Sequence, residues 1–182
     1  ELPAYPERIG AVVVDARGLR EIGQLEGLRA VLRPAVRALA ASGRVVLLAD
    51  AEVPGVEANA VRQAIDGINR TVGKELRRGA TANLVYAGPG TAAGDLASTF
   101  SFLLEGRSAF VDGQSWTVGP APAPLSAAPA ETPGSDSPPL AGRIVVVTGA
   151  ARGIGAQIAT VAARDGATVV CVDMPAAGEA LA

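Results

Sequence analysis

What this sequence lacks narrows its chemistry before any pattern is read. There is no histidine among its 182 residues, so no imidazole can serve as a base, proton shuttle or metal ligand. The single cysteine, Cys171, rules out an internal disulfide framework; set in an apolar run, it reads as buried core packing. Lys74 is the only lysine. No stretch approaches the ~18 consecutive apolar residues of a membrane span, and no secretory leader is visible, which suits a cytoplasmic protein. With a formal charge of −2 there is no basic surplus of the kind that binds nucleic acid. No carboxylate pair is spaced for acid–base work, and no metal site is expected.

What is there centres on Ile144 to Asp173, I-V-V-V-T-G-A-A-R-G-I-G-A-Q-I-A-T-V-A-A-R-D-G-A-T-V-V-C-V-D. Arg143 to Thr148 is a β-branched run suited to a parallel strand buried on both faces. Glycines follow at 149, 153 and 155. From about Arg152 to Arg164 the apolar residues Ile154, Ile158, Val161 and Ala162 recur at helical spacing, and Asp165-Gly166 ends the helix. Thr168 to Val172 is a second apolar run, ending on Asp173. Strand, glycine turn, helix, strand and acid in this order make the opening β-α-β unit of a dinucleotide-binding domain.

Each residue type has a physical reason. A strand passes directly into a helix only through positive backbone angles, which Gly149 tolerates. Gly153 and Gly155 carry no β-carbon where a helix N-terminus must approach a pyrophosphate, and the unpaired amides there attract anions. Asp173 stands at the tip of the next strand, where a carboxylate accepts hydrogen bonds from both ribose hydroxyls and repels a 2′-phosphate; this favours NAD (NADH) over NADP. Arg152 pulls the other way, since it could reach a phosphate. The expected cofactor-binding residues are Gly149, Arg152, Gly153, Ile154, Gly155 and Asp173. The plainer alternative is that the glycines only make a turn and Asp173 is a solvated strand end.

The preceding chain alternates strands and helices. Ile9 to Asp15 is a strand, Leu25 to Ala41 a helix with Pro34 as a kink or restart, and Arg44 to Ala49 a strand after the stop at Ser42-Gly43. A long helical pattern runs from about Val56 to Arg77, followed by a strand at Thr81 to Tyr86 and a helix at Asp95 to Leu104. Ser108 to Val111 and Ser115 to Val118 read as short strands around the turn Asp112-Gly113. This order implies α/β architecture with Rossmann-like parallel sheets. Tyr86, Gly88 and Pro89 lie where open sheets take ligands, though an ordinary strand-to-helix turn explains them. Trp116 reads as packing or interface, and Arg77-Arg78 as a solvated helix end.

Seven of the thirteen prolines fall between Pro120 and Pro139, among Ala, Ser and Gly, the composition of an extended spacer. Three parts follow: residues 1–119 as a first α/β domain, 120–139 as a linker, and 140–182 as the start of a second domain. The chain opens on Glu1 and stops just after a second strand, so a fragment is expected, with a sheet that something else must cover.

The wording T-G-A-A-R-G-I-G at Thr148 to Gly155, followed by V-A-A-R-D-G-A-T-V-V-C-V-D, resembles the short-chain dehydrogenase/reductases and most of all their 3-oxoacyl-(acyl carrier protein) reductases. The first block is similar to the later half of the same family, worn down. L-R-P-A-V-R-A-L-A-A-S-G-R-V-V-L-L-A at Leu32 to Ala49 resembles the helix and the strand that carries the catalytic serine. Lys74-Glu75-Leu76 and Arg78 to Asn83 resemble the run after the catalytic helix, and Phe102 to Gln114 the closing segment. The resemblance places the family's catalytic Tyr at Ala58 and its Lys at Arg62, so no catalytic residue is expected in this chain. A degenerate flavodoxin-like or reductase-like block, a proline-rich linker and a reductase domain resemble the high-molecular-weight reductases of that group. This implies a part of an NADH-dependent reductase of 3-oxoacyl thioesters in fatty-acid metabolism, acting on an acyl carrier protein or CoA thioester, and a homo-oligomer. The alternative is a non-catalytic nucleotide-binding or assembly module.

Overall fold

The computed structural model describes residue 5 and residues 7–120 and 138–180. The chain divides into two compact units, Glu1–Pro122 and Ala123–Ala182. Most of the expected linker, residues 121–137, lies outside the described residues.

The first unit begins with β1 (Ile9–Asp15), α1 (Leu25–Ala38) and β2 (Leu39–Asp50), and continues through α2 (Val56–Glu75), β3 (Thr81–Ala87), α3 (Ala93–Leu104) and β4 (Ser115–Val118). All four strands are parallel and lie side by side in chain order. The period of two sorts their side chains cleanly. Val45, Leu47 and Ala49 of β2 and Ala82, Leu84 and Tyr86 of β3 pack with Leu28 and Leu32 of α1 and Val61 and Ile65 of α2. Val46, Leu48, Val85 and Ala87 point the other way, against Leu96 and Leu103 of α3. The crossovers all step in one direction across the sheet, the first two over one face and the third over the other. The third connection is therefore opposite in hand to the first two, against the usual uniformity.

β2 and β3 carry continuous apolar runs because they are covered on both sides. β1 does not: Val13, on the α3 side, is 49% exposed. Pro34 neither ends nor restarts α1, which runs through it unbroken. The α1 helix stops at Ala38, earlier than expected, because Leu39 already pairs with Ile9. The ladder is then interrupted before Arg44, and Ser42 adopts a positive φ of 56°. Buried Arg44 secures this corner by donating to the carbonyls of Ser42, Gly43, Gly79 and Glu105.

The expected hairpin around Asp112-Gly113 is not formed. Residues 106–108 make a short 3-10 turn instead of a strand, and β4 pairs with β3 in parallel. The cause is that the loop caps the start of β3: Ala82 N donates to Asp112 Oδ1 at 2.8 Å and Gly113 N to the Ala82 carbonyl at 2.7 Å. Asn83 adds a side-chain bond to the Val111 carbonyl at 2.8 Å. Within the loop the Ser108, Ala109 and Val111 amides go to the carbonyls of Glu105, Gly106 and Ser108, so they are not free to pair with β4.

The second unit contains β5 (Ile144–Thr148), α4 (Gly153–Arg164) and β6 (Thr168–Val172), with the strands parallel and paired residue for residue from Ile144↔Thr168 to Thr148↔Val172. Its core is small: Val147, Ala150 and Ala159, joined by Val145 and Val169. The opposite sheet face, Ile144, Val146, Val170 and Val172, is open, with Ile144 74% exposed. The strands thus have the composition of doubly covered strands while one face is covered by α4. Cys171, expected to be buried, is exposed, although its register partner Val147 is buried.

Candidate functional site

The turn between β5 and α4 is shaped by its glycines. Gly149 and Gly153 have φ of 69° and 60°, the left-handed region that side chains with a β-carbon resist. Gly155 is required for a different reason. A β-carbon there would run into the Gly149 carbonyl, 2.7 Å from its carbon, and lie 3.2 Å from Ala150 N. The first turn of α4 therefore packs directly on the backbone of the strand-end turn, as the fingerprint demands.

Helix ends distinguish this place from the rest of the chain. Among the described α-helices, α1, α2 and α3 each have an acid in the first turn, Glu26, Glu57 and Asp95. Asp95 takes the Ala92 amide at 2.8 Å, so α3 closes its own terminus. The N-terminus of α4 has no first-turn acid, and Arg152 at its N-cap supplies no side-chain acceptor. Its first intrahelical bond is Ala156 N to the Arg152 carbonyl. The amides of Gly153, Ile154 and Gly155 precede that bond and face the place where the positive end of the helix dipole favours an anion.

Asp173 closes the site. Its Oδ2 accepts the Ala151 amide at 2.8 Å and its Oδ1 the Met174 amide at 2.7 Å. The Ala151 amide, the Met174 amide and the nearby Arg152 charge hold the carboxyl below its ordinary 3.8. The acid is ionised at neutral pH. Gly149, Arg152 and Asp173 are thus gathered at one turn. The Ile154 side chain is 82% exposed and borders an open apolar groove with Leu140, Val145 and Ile158, so only its backbone belongs to the turn. The participation of Ala151 was not legible in the sequence, because a backbone amide leaves no residue-type signal.

The first unit is arranged differently at the same edge of its sheet. Asp15 binds Arg17 through side chain and backbone, which lowers its carboxyl, and Arg20 pairs with Asp50 at 2.8 Å. These pairs border a small cavity of about 310 Å³ with Glu52 and Gly88-Pro89-Gly90. Tyr86 does not line that cavity: its hydroxyl donates to the Arg62 carbonyl at 3.3 Å, and burial raises its pKa. The Arg62 guanidinium lies 5.2 Å over the Tyr86 ring. Ala58 is buried. The positions to which the resemblance assigns Tyr and Lys are therefore a buried methyl and an arginine stacked on a ring. Because α2 and α3 lie on opposite faces of the sheet, the loops after β2 and β3 diverge, and the cavity lies between them at the carboxyl ends of the strands.

Among the described residues, no group of acids and cysteine could hold a metal ion, and no helix is long and apolar enough to cross a membrane.

No protein-family model matches the chain, and no curated protein matches it. Solved structures do. A short-chain dehydrogenase/reductase (glucose/ribitol dehydrogenase) from Brucella melitensis is 20% identical with a TM-score of 0.51, over 62% of this chain and 63% of that one. The enoyl-acyl-carrier-protein reductase of Plasmodium berghei is 20% identical with a TM-score of 0.52, over 64% and 61%. A citronellol catabolism dehydrogenase from Pseudomonas aeruginosa is 21% identical with a TM-score of 0.50, over 63% and 62%. The chain thus spans less than two thirds of the length of these structures. Because Ala123–Ala182 is only a third of the chain, each match also draws on the first unit. Over the part they match, this chain shares the fold of these short-chain dehydrogenase/reductase structures.

Proposed function

We propose that this chain is part of an NADH-dependent reductase of 3-oxoacyl thioesters, to which it contributes the dinucleotide turn and not the proton-donating Tyr and Lys. The observation that carries the reading is the turn itself: two left-handed glycines, a third in contact with the backbone, an acid-free helix N-terminus and an ionised Asp173 beside it. Gly149, Gly153 and Gly155 would admit the pyrophosphate to the α4 amides, and Asp173 would take the ribose hydroxyls. When bound, the dinucleotide supplies the hydride. The thioester class, with acyl carrier protein or CoA as carrier, and a homo-oligomeric working form rest on the resemblance of Thr148 to Asp173.

The test is a fluorescence titration of the chain with NADH and NADPH. NADH should bind at least tenfold more tightly, a difference of about 1.4 kcal/mol; failure of NADH to bind removes the reading. For the substrate, a longer form of the protein that includes a Tyr-x-x-x-Lys should reduce acetoacetyl-CoA faster with NADH than with NADPH.

A second reading is a non-catalytic nucleotide-binding or assembly module. It is favoured by one observation: Arg62 and Ala58 are built into packing in the first unit. It predicts NADH binding without turnover, even in the longer form.

A further inference from the structure

We propose that Asp173 is a positioning residue for the glycine turn as well as a ribose acceptor, and that it holds the turn ready by accepting the Ala151 amide; this rests on the nucleotide-binding reading above. Three successive amides tie the turn to β6. Gly149 N and Ala150 N both reach the Val172 carbonyl, at 2.7 and 3.3 Å. Those two bonds run through the backbone and are indifferent to the side chain at 172. The third, Ala151 N to Asp173 Oδ2 at 2.8 Å, spans 22 residues of sequence and exists only because residue 173 carries an acceptor. It is also the last tie before Arg152 and Gly153 open the helix.

The geometry has a consequence for cofactor choice. Both carboxylate oxygens are already engaged, Oδ2 by Ala151 and Oδ1 by the Met174 amide at 2.7 Å. Each oxygen keeps a second acceptor site for a ribose hydroxyl. Asp173 cannot rotate away from a 2′-phosphate without releasing the Ala151 amide, the tie nearest the helix N-terminus that would bind the pyrophosphate. Exclusion of NADPH and order in the turn are thus coupled through one side chain, whereas a carboxylate free of the turn would exclude by charge alone and could swing aside.

The test measures amide hydrogen exchange at Ala151 by NMR in the nucleotide-free chain, together with NADH and NADPH titrations, for wild type, Asp173→Ala and Asp173→Asn. The Asn variant loses the charge but keeps one carbonyl oxygen for the Ala151 amide. Ala151 should be protected in wild type, exchange at least about tenfold faster in Asp173→Ala, and stay protected at least in part in Asp173→Asn. NADH affinity should fall about tenfold in Asp173→Asn and further in Asp173→Ala, with NADPH gaining relative to NADH in both. Ala151 exchanging alike in wild type and Asp173→Ala, or alike in the two variants, overturns the positioning role. If exchange follows the expected pattern but wild type binds no NADH, the strut stands and the nucleotide reading fails.

Discussion

Gly149 and Gly155 are both glycines of one turn, yet they are needed for different reasons and should fail differently. At Gly149 an added β-carbon meets nothing within 4 Å, but φ is 69°. Gly149→Ala should therefore cost only backbone strain, about 1–2 kcal/mol, with NADH binding weakened but measurable. At Gly155 the added carbon collides with the Gly149 carbonyl. Gly155→Ala must push the helix off the turn, at the upper end of the ~1–3 kcal/mol typical of overpacking, and should abolish NADH binding. Urea denaturation and fluorescence titration on the two variants separate strain from collision. A pH scan probes the acids. Asp15 and Asp173 both have carboxyls lowered from 3.8, by Arg17 and by the Ala151 amide respectively. A lowered folded pKa contributes stability above the unfolded value and loses it as pH falls through the folded one. With no histidine to titrate, stability should be nearly flat from about pH 5 to 7 and fall below about pH 4. A midpoint that moves between pH 6 and 7 would contradict this.

At the scale of elements, the two sheets use the same residue types under opposite conditions. Leu84 of β3, a strand covered on both faces, is fully buried, whereas Val146 of β5 is 62% exposed. Leu84→Ala should cost about 3 kcal/mol, and Val146→Ala well under 1 kcal/mol, by chemical denaturation. Arg44 is an element-level tie of another kind. Buried at 4% exposure, it joins the start of β2 to the loops at Gly79 and Glu105. Arg44→Met would leave those carbonyls without their cationic donor and should cost about 3 kcal/mol. The elements themselves were largely legible: β1 and β6 fall on the residues expected, and β5, α2, α3 and α4 within a residue or two. The exceptions have tertiary causes. Leu39 was recruited into β2 by pairing with Ile9, and residues 108–111 were denied a strand by Asp112 and Asn83, which fasten that loop to β3. Neither partner is near in sequence, so no local pattern announces the outcome.

For the whole molecule, nucleotide and substrate should give different answers. If NADH binds the folded chain alone, it stabilises it by about 2.7 kcal/mol at a concentration one hundred times the dissociation constant. A thermal shift should be clear with NADH and smaller with NADPH. Turnover should be absent: Lys74 is the only lysine and the residue four before it is Arg70, so no Tyr-x-x-x-Lys occurs here. Steady consumption of NADH with acetoacetyl-CoA by this chain alone would overturn the assignment of no catalytic residues.

The sequence by itself determined the alternation of strands and helices, the glycine turn and the acid at position 173, because these depend on period, on β-carbon sterics and on which residues cap a strand or helix. It also determined the absence of imidazole, thiol-pair and Tyr-Lys chemistry. Only the tertiary structure decided the rest. Strand order, the reversed hand of the third crossover and the face on which each apolar residue lies depend on contacts between distant segments. So does the exposure of Cys171, whose register partner Val147 is buried. The tie from Asp173 to Ala151 belongs there too, since a side chain and an amide 22 residues apart meet only when two parallel strands bring the end of one beside the turn that leaves the other.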